Sequence, residues 1–182
     1  MKNNPANNLS KILKEKKIHI MPCCYDPLSA KMIEQAKFNL SFMSGFATAA
    51  ARLGMPDTGL ISYGEIIDQG RNICDSVNIP IIGDGDTGYG NAINVRRTVR
   101  GFYKAGFAGI LIEDQVSPKR CGHTRGKQVV DRKVAIERIK AAIDEKNSGS
   151  DILIMARTDA RFDHGMTEAI ERMKIFQDLG AD

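Results

Sequence analysis

The chain has 182 residues, of which 42% are hydrophobic and 26% are charged, which is the size and composition of one globular domain. Its formal net charge of +4 suits anionic substrates as well as weak binding to polyanions, so charge alone selects neither. No apolar run approaches the ~18 residues of a membrane span, and the first residues lack the continuous apolar core of a secretory signal.

Five short apolar runs alternate with helical patterns along the chain. The runs cover residues 18–23, 40–45, 79–86, 109–114 and 151–159. They are mostly continuous, which is typical of parallel strands covered on both faces. Helical spacing of apolar residues covers 27–37, 64–76, 92–106, 134–146 and 167–180. Pro27 opens the first helix, and the last is expected to start at Thr167 and stop at Gly180. Strands that alternate with helices predict an α/β fold.

Polar side chains stand at or just beyond the carboxyl ends of these runs. They are Ser44, Asp84, Asp86, Glu113, Asp114, Arg157 and Asp159. A (β/α)₈ barrel keeps its active site at this end of its strands. A doubly wound sheet also gathers ligands there, but it usually binds phosphate in a glycine-rich first turn, which residues 21–27 do not form. The sequence therefore favours a (β/α)₈ TIM barrel.

Five βα units cannot close an eight-stranded barrel. We therefore expect residues 1–182 to be a single catalytic barrel domain that is truncated after the fifth βα unit, without the sixth to eighth strands. Such an open barrel would expose strand edges and apolar surface.

The segment "GDGDTGYG" at 83–90 predicts a metal site. It lacks the Lys-Ser/Thr of a P-loop and the spacing of a dinucleotide fingerprint. Asp84 and Asp86 lie two residues apart at a strand end, so their carboxylates converge, and oxygen ligands at this spacing suit Mg²⁺ or Mn²⁺. Glu113, one strand over, adds a third carboxylate. The alternative is one helix-capping aspartate and one solvated aspartate.

The four cysteines are Cys23, Cys24, Cys74 and Cys121, and none forms a Cys-x-x-Cys pair. Without a secretory signal, reduced thiols in the cytoplasm are expected. We interpret the first three as packing residues.

The segment "SPKRCGHTRGK" at 117–127 places a thiol among cations. These cations are Lys119, Arg120, Arg125, Lys127 and the nearby Arg132. A loop of this length inside a compact domain is usually an active-site lid or disordered. Cations lower a thiol's pKa, so Cys121 is a candidate acid beside an anionic substrate. Gly122 permits unusual backbone geometry, and His123 lies two residues beyond the thiol.

Two other functions for this loop are disfavoured. A zinc site lacks partners, because Cys-x-His supplies too few ligands and the other histidines are distant in sequence. A nucleic-acid patch is disfavoured because the basic cluster is short, has no interleaved aromatic residues and faces carboxylates. A charged surface loop with an incidental thiol stays open.

Several of these motifs together resemble the isocitrate lyase and phosphoenolpyruvate mutase superfamily. The matching segments are "MSGF", "LGMPDTG", "DGDTGYGN", "IEDQ", "PKRCGH" and "MARTDA", in family order from about residue 21 to residue 182. The nearest likeness is to the methylisocitrate lyase-like and carboxyphosphonoenolpyruvate mutase-like branch. The resemblance implies a Mg²⁺-dependent (β/α)₈ barrel that assembles as a homotetramer.

The resemblance also implies roles for individual residues. Cys121 is the mobile acid, assisted by Glu113 in the metal's water shell. Tyr25 lies near the reacting centre and Arg157 at an anionic group. The residues implied at the substrate are Ser44, Gly45, Phe46, Gly122, His123 and Arg157, with His123 also counted as catalytic, and those at the metal are Asp84, Asp86 and Glu113.

These features predict reversible cleavage of a carbon–carbon bond in a 2-hydroxy di- or tricarboxylate, to a 2-oxo acid and a carboxylate. Lyases of the group usually carry Gly where this chain has Phe46, which narrows the pocket and puts methylisocitrate itself in question. The alternatives are phosphonomutase chemistry, which Cys121 disfavours because mutases of the superfamily tend to carry Asn in this loop, and an inactive fragment.

Overall fold

The computed structural model describes residues 4–182, which form five strands and seven helices. The strands are β1 (Cys23–Cys24), β2 (Ser41–Met43), β3 (Ile81–Asp84), β4 (Gly109–Glu113) and β5 (Leu153–Arg157). The helices are α1 (Pro5–Leu13), α2 (Pro27–Gln35), α3 (Gly45–Leu53), α4 (Tyr63–Ser76), α5 (Ala92–Lys104), α6 (Arg132–Asn147) and α7 (Gly165–Leu179).

The five strands form one parallel sheet in the order β1-β2-β3-β4-β5. Each strand therefore pairs with the next one along the chain, and a helix covers each crossover. A doubly wound sheet reverses its strand order at a switch point, whereas a (β/α)₈ barrel does not. The expected α/β, barrel-type architecture is confirmed, with five strands among the described residues.

Apolar side chains pack on both faces of the sheet. On the outer face, the strands and the helices bury one large cluster around Ile110, Phe102 and Ile139. On the inner face, Leu9 of α1 packs with Ile82 and with residues of β2 and β5. Helix α1 thus closes the amino-terminal end of the sheet, opposite the end that carries the polar residues.

Side-chain caps fix where the helices of the βα units begin. Asp26 Oδ1 accepts a hydrogen bond from Ser29 N at 2.7 Å, and Pro27 occupies the first turn of α2. Asn91 caps α5 through bonds from the backbone N–H groups of its first turn. Such caps satisfy donors that have no partner inside the helix.

Several element boundaries differ from the sequence prediction. The run at 18–23 is a strand only at its end, because β1 pairs through Cys23 and Cys24, and Ile18 is 94% exposed. Helices α1 and α3 were not expected. Helix α7 begins at Gly165 instead of Thr167, because Gly165 turns the chain with φ +87°.

The β5 edge opens into a large apolar groove of about 690 Å³, between the inner face of the sheet, α1 and α7. Its apolar lining includes Leu153, Met155, Met166, Ile170 and Met173, and we call it the apolar edge surface. Within residues 4–182, no helix is both long enough and apolar enough to cross a membrane.

Candidate active site

The carboxyl ends of the strands bring the predicted polar residues to one rim of the sheet. Asp84 ends β3, Glu113 ends β4 and Arg157 ends β5, while Ser44 directly follows β2. Arg157 Nη1 lies 3.2 Å from Glu113 Oε2, so at least two of the predicted residues are in contact.

Asp84 is held by backbone donors on two sides. Its Oδ2 accepts a hydrogen bond from Gly45 N at 3.2 Å, and its Oδ1 accepts one from Asp86 N at 3.1 Å. A Cβ on Gly45 would lie 2.8 Å from Asp84 Oδ2, so only glycine permits this approach. Ser44 caps α3 through its Oγ, which accepts from Ala47 N. Ser44 and Gly45, which the sequence predicts to contact the substrate, thus lie at the carboxylate rim in this structure.

Asp86 is buried against Lys119, which the sequence analysis names only as one of the loop cations. Its Oδ1 lies 2.8 Å from Lys119 Nζ, which also contacts Asp57 Oδ1 at 2.6 Å. Tyr89 donates its hydroxyl to Asp86 Oδ2. Burial, with repulsion from Asp84, raises the pKa of Asp86 to about 7, although Lys119 opposes the rise.

Glu113 presents a free oxygen to the same rim. Its side chain is buried, and Oε1 has no hydrogen-bond partner among residues 4–182. Burial raises the pKa of Glu113 to about 8, against the opposing effect of Arg157. An unsatisfied buried carboxylate oxygen is costly unless a cation or another donor satisfies it.

The carboxylate rim fits a hard divalent cation such as Mg²⁺. No three thiol, imidazole or carboxyl groups are gathered at metal-binding separation in the part of the chain that the structure describes. Mg²⁺, however, keeps several waters and needs only one or two direct carboxylates. The orphaned Glu113 Oε1 leaves one buried carboxylate oxygen without a donor, and burial raises the pKa values of Asp86 and Glu113 even though Lys119 and Arg157 oppose the rise.

The loop at 117–127 covers this rim. Cys121 is 6% exposed, and its N–H donates to Asp57 O at 3.1 Å. A Cβ on Gly122 would overlap Arg157 Nη2. The ends of the loop are joined by an isolated antiparallel bridge between Gln115 and Val129. The predicted thiol is therefore buried in a loop whose neighbouring residues Lys119 and Gly122 contact Asp86 and Arg157.

The loop cations do not form one field around Cys121, which corrects the sequence interpretation. Lys119 pairs with Asp57 and Asp86, and Lys127 Nζ lies 3.2 Å from Asp159 Oδ1. Arg132 pairs with Glu168 on α7. Arg120 and Arg125 are exposed.

The other predicted residues lie at the same rim with fewer contacts. Tyr25 directly follows β1 and is 38% exposed, His123 is exposed on the loop, and Phe46 is 52% exposed at the start of α3. Cys23 is exposed instead of packed, contrary to expectation. Burial and repulsion from Asp84 raise the pKa of the Cys23 thiol.

A family model described as phosphoenolpyruvate phosphomutase matches residues 9–182. The chain belongs to this family. It is 42% identical over 179 residues to 2,3-dimethylmalate lyase from Eubacterium barkeri, covering 98% of this chain and 62% of that protein. It is 44% identical over 176 residues to the chloroplastic carboxyvinyl-carboxyphosphonate phosphorylmutase of Arabidopsis thaliana, covering 94% of this chain and 52% of that protein.

The fold is similar to solved structures of the superfamily. Oxaloacetate acetylhydrolase in complex with the inhibitor 3,3-difluorooxalacetate superimposes with a TM-score of 0.95 at 39% identity, covering 98% of this chain and 62% of that one. The expected membership of the isocitrate lyase and phosphoenolpyruvate mutase superfamily is confirmed. The chain spans 52–62% of the length of these three proteins.

Sequence reasoning missed two members of the site of this family member, Asp57 and Lys119. Asp57 lies in "LGMPDTG", a segment noted only as a motif, far in sequence from the strand-end carboxylates. The structure makes it the second carboxylate on Lys119 and the backbone acceptor for Cys121. Asp57 lies in the irregular segment between α3 and α4, outside any strand-end run, so no hydrophobic periodicity pointed to it.

Proposed function

We propose that this chain carries the metal-binding rim and the acid-bearing loop of a carbon–carbon lyase that acts on 2-hydroxy di- or tricarboxylates. The observation that carries the proposal is that the loop with the buried Cys121 contacts the rim, through Lys119 on Asp86 and Gly122 against Arg157. The similarity to 2,3-dimethylmalate lyase supports a branched malate-like substrate.

Asp84 and Asp86 would hold Mg²⁺, with Mn²⁺ as a substitute, and Glu113 would accept hydrogen bonds from its water shell. When bound, the ion supplies Lewis acidity and a template for substrate oxygens. The donor set supports this assignment because all three groups are oxygen ligands and one of their oxygens is unsatisfied.

The chain's own residues move the protons and stabilise the charge in the bond-breaking step. A base, for which Tyr25 is the candidate, takes the proton of the C2 hydroxyl. The C2–C3 bond then breaks, its electron pair stays on C3, and C2 becomes the carbonyl carbon of a 2-oxo acid. Arg157 stabilises the carboxylate that carries the negative charge. The Cys121 thiol gives its proton to C3, which yields the second carboxylate product.

The loop excludes water from this step. Cys121 and Lys119 are buried, and Gly122 lies against Arg157. Exclusion of water protects a carbanion from premature protonation. Ser44, Gly45, Phe46 and His123 are proposed to contact the substrate. A homotetramer is proposed from the resemblance alone, and a single barrel domain and a cytoplasmic location are proposed from the sequence analysis.

Two other reactions are each supported by the comparisons. The similarity in fold to oxaloacetate acetylhydrolase favours hydrolytic cleavage of a 2-oxo diacid. The family model and the plant relative favour phosphonomutase chemistry. Both would use the same rim, so the substrate decides between them.

A substrate panel tests the proposal. The full-length protein is incubated with Mg²⁺ and, separately, 2,3-dimethylmalate, 2-methylisocitrate, oxaloacetate and carboxyvinyl-carboxyphosphonate. We expect a 2-oxo acid to be released from a 2-hydroxy acid, and chelation of the metal to stop it. Turnover of oxaloacetate or the phosphonate alone would replace the lyase with the corresponding alternative.

A further inference from the structure

The side chain of Gln115 lies beneath the loop and is 1% exposed. Its Nε2 donates to Arg120 O at 3.0 Å, and its Oε1 accepts from Arg120 N at 3.1 Å. One side-chain amide thus bonds both backbone polar groups of the residue that precedes Cys121. A primary amide can donate to a carbonyl and accept from an N–H through its two terminal atoms, whereas a carboxylate cannot donate and a thioether cannot donate and accepts only weakly.

The second flank of Cys121 is tied to the same place. Lys127 Nζ donates to Gly122 O at 2.7 Å and lies 3.2 Å from Asp159 Oδ1. Gln115 Nε2 also donates to Asp159 Oδ2 at 3.0 Å. Both residues that flank the thiol are therefore connected through side chains to one carboxylate.

That carboxylate is itself fixed to the sheet and to the substrate arginine. Arg157 Nη2 donates to Asp159 Oδ2 at 2.8 Å, and Asp159 N donates to Asp114 Oδ1 at 3.0 Å. The backbone on both sides of Cys121 is thus linked to Arg157 through Asp159, by bonds separate from the contacts that Lys119 makes with Asp57 and Asp86.

We propose that Gln115 is a positioning residue for Cys121: its amide holds the backbone of Arg120 so that the thiol stays buried over the rim. The inference deepens the proposed function, since it rests on Cys121 as the proton donor. Gln115 touches neither the thiol nor the rim carboxylates through its amide, so it acts through Arg120 and Asp159.

The test measures the accessibility of Cys121 directly. The full-length protein and its Gln115→Met and Gln115→Glu variants are treated with iodoacetamide, and the alkylation rate of each cysteine-containing peptide is followed by mass spectrometry. Met keeps the length of the side chain and removes both bonds to Arg120 and the bond to Asp159. Glu keeps the acceptor, loses the donor and faces Asp159 with a like charge.

Loss of these three hydrogen bonds opens the loop at least about tenfold more often, so Cys121 should react at least about tenfold faster in Gln115→Met. The exposed Cys23 is the internal reference, and its rate should not change. Gln128→Met is the matched control, because Gln128 is an exposed glutamine whose backbone O pairs with Val116 N across the base of the loop.

Activity supplies the second measurement. Where a substrate is turned over, kcat of Gln115→Met should fall about tenfold with KM within twofold of the wild type. If Gln115→Met melts at a lower temperature than the wild type, the alkylation and kinetic measurements are compared for Gln115→Glu instead, because glutamate has the same side-chain shape as glutamine.

Each outcome decides one claim. Alkylation of Cys121 within twofold of the wild type in both variants, at an unchanged melting temperature, overturns the role of Gln115. A rise in KM at constant kcat overturns it too, because the residue would then serve substrate binding. Faster alkylation of Cys121 together with a wild-type protein that turns over no 2-hydroxy acid supports the role of Gln115 and refutes the lyase.

Discussion

Lys119 brings its ammonium group into the carboxylate rim, where it contacts Asp57 and Asp86 and is itself buried. Attraction from Asp86 and Asp84, with the hydrogen bond to Asp57, raises the pKa of Lys119 despite its burial, so it stays charged. A divalent cation at Asp86 would therefore compete with an ammonium group that the loop supplies. At the scale of single residues, the negative carboxylates of the rim and the positive ammonium group of Lys119 oppose each other, so the effect of each charge can be measured by substitution.

The first prediction concerns metal affinity. Asp84→Asn and Asp86→Asn each remove a negative charge without changing side-chain shape, so binding of Mn²⁺ by the full-length protein should weaken at least about tenfold. Titration followed by electron paramagnetic resonance measures the free ion. Asp178→Asn, on the exposed face of α7, is the control and should bind as the wild type does.

A pH dependence belongs to the same aspartate. In chelator, the folded pKa of Asp86, about 7, lies above its ordinary value of 3.8, so the folded state binds the proton more tightly. The free energy of unfolding should therefore fall as pH rises from about 4 to about 7. Denaturant titrations of Asp86→Asn should lack that part of the slope. An identical slope in the variant would show that Asp86 titrates normally in the metal-free fold.

The third prediction concerns the thiol. Cys121→Ser keeps the size of the side chain but replaces a good acid with an alcohol, so kcat should fall roughly 10²-fold, the scale of general acid catalysis. KM should change little, because Arg157 and the rim are untouched. Cys74→Ser, a buried cysteine on α4, is the comparison. A Cys121→Ser protein that keeps most of its kcat would make the thiol incidental.

At the scale of elements, specific contacts hold two features in place: the loop at 117–127 and the pair of helices α6 and α7. The loop is anchored at its base by the Gln115–Val129 bridge and at its tip by contact with Arg157. Helices α6 and α7 are joined by Glu168, which pairs with Arg132 and with the buried Arg172.

A fourth prediction tests the seating of the loop. Gly122→Ala places a Cβ where Arg157 Nη2 lies, and Arg157 cannot move aside without leaving Glu113 and Asp159. We expect kcat to fall at least tenfold and Cys121 alkylation to quicken, with a melting temperature close to that of the wild type. Thr124→Ala loses only bonds within the loop and should have the smaller effect. Equal kcat for Gly122→Ala would mean that the closed loop is not the active state.

Much of this architecture is readable from the sequence because it is periodic. The runs at 79–86, 109–114 and 151–159 pack on both faces, so their continuous apolar character predicted strands and placed Asp84, Glu113 and Arg157 at one rim. The run at 18–23 failed because hydrophobicity does not show which residues find a strand partner. Contacts of Lys119 with Asp57, 62 residues away, are set by the tertiary fold and leave no local pattern.

On the scale of the whole molecule, the sheet is polar at one rim, closed by α1 at the other end, and apolar along the β5 edge. The rim concentrates charged groups whose pKa values are shifted, while the apolar edge surface carries no charged site residue. Predictions about the rim therefore concern metal binding and catalysis, and predictions about the β5 edge concern association between polypeptides.

The last prediction concerns a polypeptide limited to residues 1–182. The apolar edge surface leaves Ile170 47% and Met173 41% exposed beside a β5 edge that pairs with no further strand among residues 4–182, where only Ile154 bonds to Asp182. Contiguous apolar surface next to a free strand edge promotes association, so this polypeptide should bind a hydrophobic dye and form larger species as its concentration rises. Charged substitutions in Ile170→Lys/Met173→Glu should lower dye fluorescence and shift light scattering toward the monomer. Ile93→Lys, at a 79% exposed position on α5, should leave both signals unchanged. A wild-type polypeptide that stays monodisperse, binds no dye and melts cooperatively would show that the edge is not a sticky surface.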